Sequence, residues 1–410
     1  MALLLPHIDF KKPFQWANPS TWKTNILGSF VAFWVTFTIL GANLLVAEKV
    51  GKEVVPGILL FFYLFGTLFA GVSGLLGRTM SRKAVLLIGL ALMMMGTIAL
   101  NFVNSFGLFT LVYILMAIGY FPVISITASL HMDFVPDDNK SRGRGRSCWG
   151  TLNNVASASA AIAILMVNHG WTTVWFAVSM SALVCAAFVV KDMKEEVAVK
   201  EQQFTEPLTD RLPFYQQLLT KDKSIHFSWK YVLVAAGSQA VRMWPVFFME
   251  EWVAVAMIFC GELVNGLCGP LQVRLSQWLE KKDKATQQRI SWEVSNGTLV
   301  AFAIALLFIW TGVAALCIIG AALIGVAVRV FTYLEITQSP QKGRGAYTYF
   351  FVRSISLSLG CVVAMVSMTM LGMMLPLMVF TLIGIVYYNK VRLRNLISSP
   401  TNWRKAKKTP

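Results

Sequence analysis

Three ionisable side chains fall deep inside long apolar stretches of this chain: Glu262, Arg242 and Arg353. A charged group among apolar residues is costly where water is excluded, so such residues are retained for pairing or for chemistry. Glu262 is the one carboxylate predicted in such a place, and a buried carboxylate can bind and release a proton as its surroundings change. The two guanidinium groups can hold an anionic group through charge-assisted hydrogen bonds.

Glu262 and Arg242 lie on either side of one short turn. Arg242 comes about seven residues before the turn and Glu262 about nine after it, so both lie roughly 10–14 Å from the same end of two antiparallel helices. Two interpretations stay open. The pair is a structural ion pair, because either charge alone would be costly, or Glu262 exchanges protons while Arg242 controls its pKa.

Uncharged amides in the same stretches add candidate ligands for a small molecule. Together with Arg242 and Arg353, they form the predicted substrate-binding set: Asn43, Gln239, Asn153 and Asn154. Hydrogen bonding between helices is an equally good interpretation of each amide.

Residues for other chemistry are sparse. The six cysteines lack metal-ligand spacing and are interpreted as small apolar fillers. His131 and Asp133 form an isolated pair at the end of an apolar stretch, without the further groups that catalysis needs. No nucleotide-binding loop is present. The sequence therefore predicts no enzyme activity, no metal and no cofactor, and energy must come from an ion gradient or from the substrate's own gradient.

Twelve apolar stretches carry these residues, and each is about long enough to cross a bilayer as a helix. The predicted spans are 26–46, 57–77, 84–101, 108–130, 147–167, 171–190, 231–249, 253–271, 294–310, 313–333, 346–370 and 371–388. Of the 410 residues, 56% are hydrophobic and 14% are charged, with a mean hydropathy of +0.62. Because a water-soluble domain of this composition would aggregate, we predict an all-α membrane protein.

The net charge of +16 is concentrated in alternate gaps between the spans. Of the 36 Lys and Arg residues, only Lys49 and Lys52 lie in the odd-numbered gaps. Three lie inside spans, and one of them, Arg329, is near enough to a span end that its side chain is expected to reach water. Because Lys and Arg stay on the cytoplasmic side during insertion, both termini are predicted to be cytoplasmic, in a bacterial inner membrane. Basic residues distributed in this way do not indicate nucleic acid.

The spans divide six and six around one polar stretch. The predicted domains are a cytoplasmic segment (1–25), two six-helix bundles (26–190 and 231–388), a central linker (191–230) and a basic tail (389–410). The basic ends are expected to bind anionic lipid of the inner leaflet, and a topology signal alone is the alternative. The protein is expected to be monomeric.

The two halves repeat their loop sequences. Residues 142–145 read Arg-Gly-Arg-Gly before the fifth span, and residues 342–345 read Lys-Gly-Arg-Gly before the eleventh. Other residues match at equivalent places in the halves: Asp133 and Pro136 against Glu335 and Pro340, and Gly74 and Arg78 against Gly269 and Arg274. Two matches at equivalent places predict an internal repeat, which many transporters have.

With its twelve spans, long central loop and paired loop motifs, the sequence resembles the major facilitator superfamily over essentially its whole length. The resemblance implies two pseudo-symmetric six-helix bundles that rock about a site near the bilayer midplane. It also implies a cytoplasmic gate, formed by Gly74, Arg78, Arg82, Lys83, Asp133, Arg142, Arg144, Arg274, Glu335 and Arg344.

Two departures from the family pattern bear on function. Arg78 stands where the family's loop motif has an acid that latches the gate, so the usual latch is not expected. The fifth span lacks the proline of drug–proton antiporters, which weakens a multidrug assignment, and its small residues predict close helix packing.

These observations together predict a secondary active transporter that works by alternating access and is coupled to protons through Glu262. The predicted substrate is a small anionic or zwitterionic metabolite, and siderophore or drug efflux stays open. Two alternatives remain. One is an uptake permease of the same fold; the other is a transport-inactive relative that acts as a sensor or assembly partner, which the degenerate loop at 78–83 favours.

Overall fold

The computed structural model describes residues 19–135, 139–166, 172–193 and 250–336, together with short helical pieces between 359 and 389. Four predicted site residues lie outside these ranges: Gln239, Arg242, Arg344 and Arg353. The seventh predicted span, most of the eleventh and twelfth spans, most of the central linker, residues 1–18 and nearly all of the basic tail also lie outside the described residues.

The described part of the chain is helical. Its helices are α1 (Pro19–Lys49), α2 (Val55–Thr79), α3 (Arg82–Ala99), α4 (Phe106–Phe134), α5 (Asn139–Met166), α6 (Thr172–Asp192), α7 (Glu251–Leu267), α8 (Gly269–Glu280), α9 (Lys284–Trp310) and α10 (Ala314–Ile336). A single 3-10 turn, Lys52–Val54, precedes α2. Nine of the predicted spans lie on these helices, and the eighth span corresponds to α7 continued into α8.

Six helices in the described ranges are long and apolar enough to cross a membrane. Several helices run past the predicted span by a turn or more. The fourth span is predicted as 108–130, whereas α4 covers Phe106–Phe134, because hydropathy marks the apolar part of a helix and not its polar ends. The chain is therefore a multi-pass helical membrane protein, and the count of twelve spans stays a prediction.

Helix α1 lies at the centre of the first bundle, which comprises α1–α6, and packs against α4, α5 and α6. Side chains along its length bond to neighbouring helices. Trp34 Nε1 donates to Thr97 Oγ1 of α3 at 3.2 Å, and Thr38 Oγ1 donates to Ser179 Oγ of α6 at 3.0 Å. Buried polar groups bonded in this way fix one packing of the apolar helices, where burial alone would allow several.

Helices α3 and α4 approach each other through two glycines. A β-carbon built on Gly119 would lie 2.5 Å from the carbonyl oxygen of Gly89. Such a distance leaves no room for any side chain on Gly119, so the crossing depends on a hydrogen at that position.

Gly119→Ala is expected to lower the unfolding temperature of the purified protein. The added methyl group would meet backbone of α3 that cannot turn aside, and overpacking of this kind costs about 1–3 kcal/mol. Gly107→Ala is the matched control in the same helix, because nothing lies within 4 Å of a β-carbon there. Thermal unfolding in detergent measures both variants, and equal losses would contradict this account of the crossing.

Small residues also join the described helices of the second bundle, α7–α10. A β-carbon on Gly325 of α10 would lie 2.3 Å from the carbonyl oxygen of Gly261 of α7. One on Gly320 would lie 2.8 Å from the carbonyl oxygen of Ala305 of α9. Helix α10 therefore lies in close backbone contact with both α7 and α9, as its packing against these two helices also shows.

Candidate functional site

The two bundles meet where α5 packs against α7 and α8. A β-carbon built on Gly266 would lie 3.4 Å from the carbonyl oxygen of Thr151 and from Cγ2 of Val155. One built on Gly269 would lie 2.2 Å from Oγ1 of Thr151 and 2.8 Å from Oγ of Ser147. Residue numbers rise on one side of this contact as they fall on the other, so the helices run antiparallel. We call the contact between these five residues the bundle junction.

A hydrogen bond crosses the bundle junction. Thr151 Oγ1 donates to the carbonyl oxygen of Gly266 at 3.0 Å. Pro270, in the first turn of α8, has no N–H to donate to this carbonyl four residues earlier. The proline thereby leaves a backbone acceptor available, and a hydroxyl group of the other bundle uses it.

Arg329 of α10 reaches into the bundle junction. Its side chain is buried, with the residue 6% exposed. Nη2 donates to the carbonyl oxygen of Ser147 at 2.7 Å and lies 3.3 Å from Thr151 Oγ1. The prediction that Arg329 reaches water is therefore wrong. Depth along a helix can be estimated from sequence, but the direction in which a side chain leaves the helix cannot, and Arg329 points at the other bundle.

Glu262 is buried on α7, at 7% exposure. It precedes Gly266 by four residues, so the two lie on one face of the helix about one turn apart. That face packs on α5 at Gly266. Glu262 is therefore a buried carboxylate about one turn of α7 from the bundle junction, and its predicted partner Arg242 lies outside the described residues.

The predicted amide ligands divide between two surroundings. Asn43 is buried within the first bundle, where its Oδ1 accepts a hydrogen bond of 2.8 Å from Tyr113. Asn153 faces α1, with Oδ1 2.8 Å from a β-carbon built on Gly28. Asn154 lies beside the bundle junction, because its Cβ is 3.5 Å from a β-carbon built on Gly266. The contact of Asn43 supports the helix-bonding interpretation, and Asn154 is the described amide nearest the interface.

Three of the predicted gate residues bind helix ends of the first bundle together. Arg82, at the start of α3, forms an ion pair with Asp133, near the end of α4, and their side chains are only 11% and 15% exposed. Lys83 Nζ donates to the carbonyl oxygen of Lys191 in the last turn of α6 at 2.6 Å, where a cation is favoured by the helix dipole. We call this end of the molecule the basic end.

The other predicted gate residues are placed less completely. Arg144 in α5 and Arg274 in α8 are both partly buried. The structure describes only the backbone for four more, all on helices: Gly74, Arg78, Arg142 and Glu335.

His131 is a structural residue that sequence reasoning missed. It is 1% exposed, and its Nε2 lies 3.0 Å from the carbonyl oxygen of Gly145. Since a carbonyl only accepts, Nε2 carries the hydrogen. Nδ1 lies 2.9 Å from Thr24 Oγ1, so one imidazole joins α1, α4 and α5. Its partner Gly145 belongs to the basic segment 142–145, which the repeat between the two halves marks. No spacing pattern in the sequence connects this segment with a histidine. In the described ranges, no three His, Cys, Asp or Glu side chains are grouped to hold a metal ion.

Comparisons with known proteins agree with this architecture. The family model described as Major Facilitator Superfamily matches residues 26–388. A comparison with curated protein sequences finds no match.

Two solved structures are similar in fold. The human organic anion transporter MFSD10 (TETRAN) is 14% identical, with a TM-score of 0.58, over 90% of this chain and 98% of that one. A point mutant of the nucleoside transporter NupG is 13% identical, with a TM-score of 0.63, over the same shares of the two chains. At these identities the likeness concerns the fold. The match of the family model over most of the chain shows that this protein belongs to the major facilitator superfamily.

Proposed function

We propose that this membrane transporter is a proton-coupled secondary transporter of a small anionic or zwitterionic metabolite, working by alternating access. The observation that carries the proposal is the burial of Glu262, and its spacing of four residues from Gly266 supports a position near the contact between α7 and α5. A carboxylate in this position changes its surroundings whenever the bundles separate.

That change of surroundings is what proton coupling requires. A coupling carboxylate must meet packed helices in one arrangement of the bundles and water in the other. A proton bound in one arrangement would therefore be released in the other. We propose that Arg242, which the sequence predicts across the hairpin, controls this proton exchange.

The proposed substrate class rests on two cations that the sequence predicts inside spans, Arg242 and Arg353, since the third, Arg329, bonds to α5. Guanidinium groups bind carboxylates in a bidentate manner, so a carboxylate-bearing metabolite or a siderophore fits best. One structural neighbour is an organic anion transporter and the other a nucleoside transporter, and the first agrees with this charge preference. We favour efflux, because a loop with an acid, a proline and an Arg-Gly-Arg sequence resembles the loops of exporters in this superfamily, and uptake is the alternative direction.

The proposed orientation places the basic end at the cytoplasmic face of a bacterial inner membrane. The support is the positive charge of the loops at this end, since Lys and Arg stay on the side from which insertion starts. In this orientation the basic tails would lie against anionic lipid, and we propose that the protein acts as a monomer.

Cells with and without the protein are expected to differ in one small anion or zwitterion. Export lowers its intracellular level and raises its level in the medium, and uptake does the opposite. Untargeted metabolite analysis of both compartments measures this, with an empty-vector strain as the control. Proteoliposomes then test a panel of carboxylates with and without a pH gradient, and no flux of any of them would contradict the proposal.

A transport-inactive sensor or assembly partner is the second candidate. Arg78, in place of the acid that latches the gate in relatives, favours it. Proteoliposomes inactive toward every compound of the panel, from a protein that still folds and inserts, would support this alternative.

A further inference from the structure

We propose that Arg329 is the latch that holds the two bundles together at the basic end, taking over the role left open by Arg78. The latch consists of the Arg329 guanidinium, its acceptors Ser147 and Thr151, and the Thr151–Gly266 hydrogen bond. The inference concerns the conformational cycle alone, so it stands or falls independently of proton coupling at Glu262.

Two hydrogen bonds of Arg329 run between the bundles. Arg329 belongs to α10 of the second bundle, while the carbonyl of Ser147 and the hydroxyl of Thr151 belong to α5 of the first. A bond within one bundle would survive rocking, but these must break when the basic ends of α5 and α10 move apart. A hydrogen bond from a cation is stronger than one between neutral groups. Losing it therefore shifts the equilibrium between the closed and open arrangements of the basic end.

Three positions without side chains make room for this contact. A β-carbon on Gly150 would lie 1.8 Å from Nη1 of Arg329, and one on Gly269 would lie 3.1 Å from Nη2. Gly266 allows α7 to approach α5 closely enough for its carbonyl to meet Thr151. The junction is therefore shaped around the guanidinium, which a side chain that merely fills space would not need.

Proline completes the arrangement. Pro270 leaves the Gly266 carbonyl without its usual helical donor, and Thr151 supplies a donor from the other bundle. When the bundles separate, the hydrogen bond from Thr151 to this carbonyl and those from Arg329 to α5 break, and water can replace them. Opening at the basic end thus hydrates the latch, and closing dehydrates it.

Paired distance measurements on the full chain test the latch. Spin labels are placed at two exposed positions of the basic end, Met80 and Lys281, and at two of the opposite end, Phe102 and Thr311. The native cysteines are replaced first, and the protein is reconstituted in lipid nanodiscs. The readout is the distribution of distances within each pair, which needs neither substrate nor a proton gradient.

Arg329→Gln is expected to lengthen the Met80–Lys281 distance and shorten the Phe102–Thr311 distance. The ratio of basic-end-open to basic-end-closed molecules should rise roughly tenfold, since a hydrogen bond from a charged group is lost. Arg329→Lys should restore part of the closed population. Arg289→Gln removes an exposed cation paired with Glu293 on α9, and should change neither distance.

Gly269→Ala gives a second approach that leaves every charge in place. Its methyl group would meet Thr151 Oγ1 at 2.2 Å, so the same opposite changes at the two ends are expected. The proposal is overturned if both variants leave the distributions unchanged. It is equally overturned if both pairs lengthen together, which indicates general loosening, or if Arg289→Gln acts like Arg329→Gln.

Discussion

Glu262→Gln is expected to abolish accumulation driven by a pH gradient while substrate exchange stays measurable. One pH unit stores about 1.4 kcal/mol per proton, which supports about tenfold accumulation when one proton moves per substrate. Glutamine keeps the size and hydrogen-bonding ability of the buried side chain but cannot bind or release the proton. The accumulation ratio should therefore fall from about tenfold per pH unit to one.

The measurement compares proteoliposomes with and without an imposed pH gradient. Exchange of labelled for unlabelled substrate in the same vesicles shows that the variant folds and binds. Glu293→Gln is the matched control, because Glu293 is an exposed carboxylate at the basic end of α9. If the Glu262→Gln protein still accumulates substrate against its gradient, Glu262 has a structural role and coupling lies elsewhere.

Asp133→Asn is expected to cause the largest loss of stability among the described charged residues. The carboxylate forms a largely buried ion pair with Arg82, and removing one partner leaves the other charge uncompensated. A cost of about 3 kcal/mol is expected, at the low end for a buried pair because both side chains retain some exposure. Thermal unfolding in detergent measures it as a lower unfolding temperature.

A double-variant cycle separates the interaction energy of the Arg82–Asp133 pair from the effect of each residue alone. Arg82→Met with Asp133→Asn should be less damaging than the sum of the single variants, because no lone charge remains. The exposed pair of Arg289 and Glu293, spaced four residues apart on α9, is the control. Removing Glu293 should cost less than about 0.5 kcal/mol, and equal losses at the two sites would contradict the importance of burial.

Hydropathy alone was enough to place the helices, because the bilayer requires long apolar runs whatever the packing. Each predicted span that falls within the described ranges lies on a helix, including the eighth, where Gly269 and Pro270 mark the change from α7 to α8. One residue of the repeated sequence, Gly269, lies at the bundle junction, at the start of α8.

The direction of individual side chains was much harder to predict. Arg329 was expected in water but lies between the bundles. The direction in which its side chain leaves α10 depends on neighbours that are far away in the sequence. His131 was set aside as an isolated residue and joins three helices. Asn43 was a candidate ligand and bonds to Tyr113. In each case the partner is more than ten residues away, and no periodic pattern connects the two.

Under the proposed coupling, this transporter moves protons with its substrate. The most direct test is to follow the pH inside substrate-loaded proteoliposomes with a trapped dye, with no pH gradient imposed at the start. We expect the outward movement of substrate to change the lumenal pH, and the change to vanish with Glu262→Gln. Substrate movement by the native protein at constant lumenal pH, with membrane potential clamped, would contradict the claim.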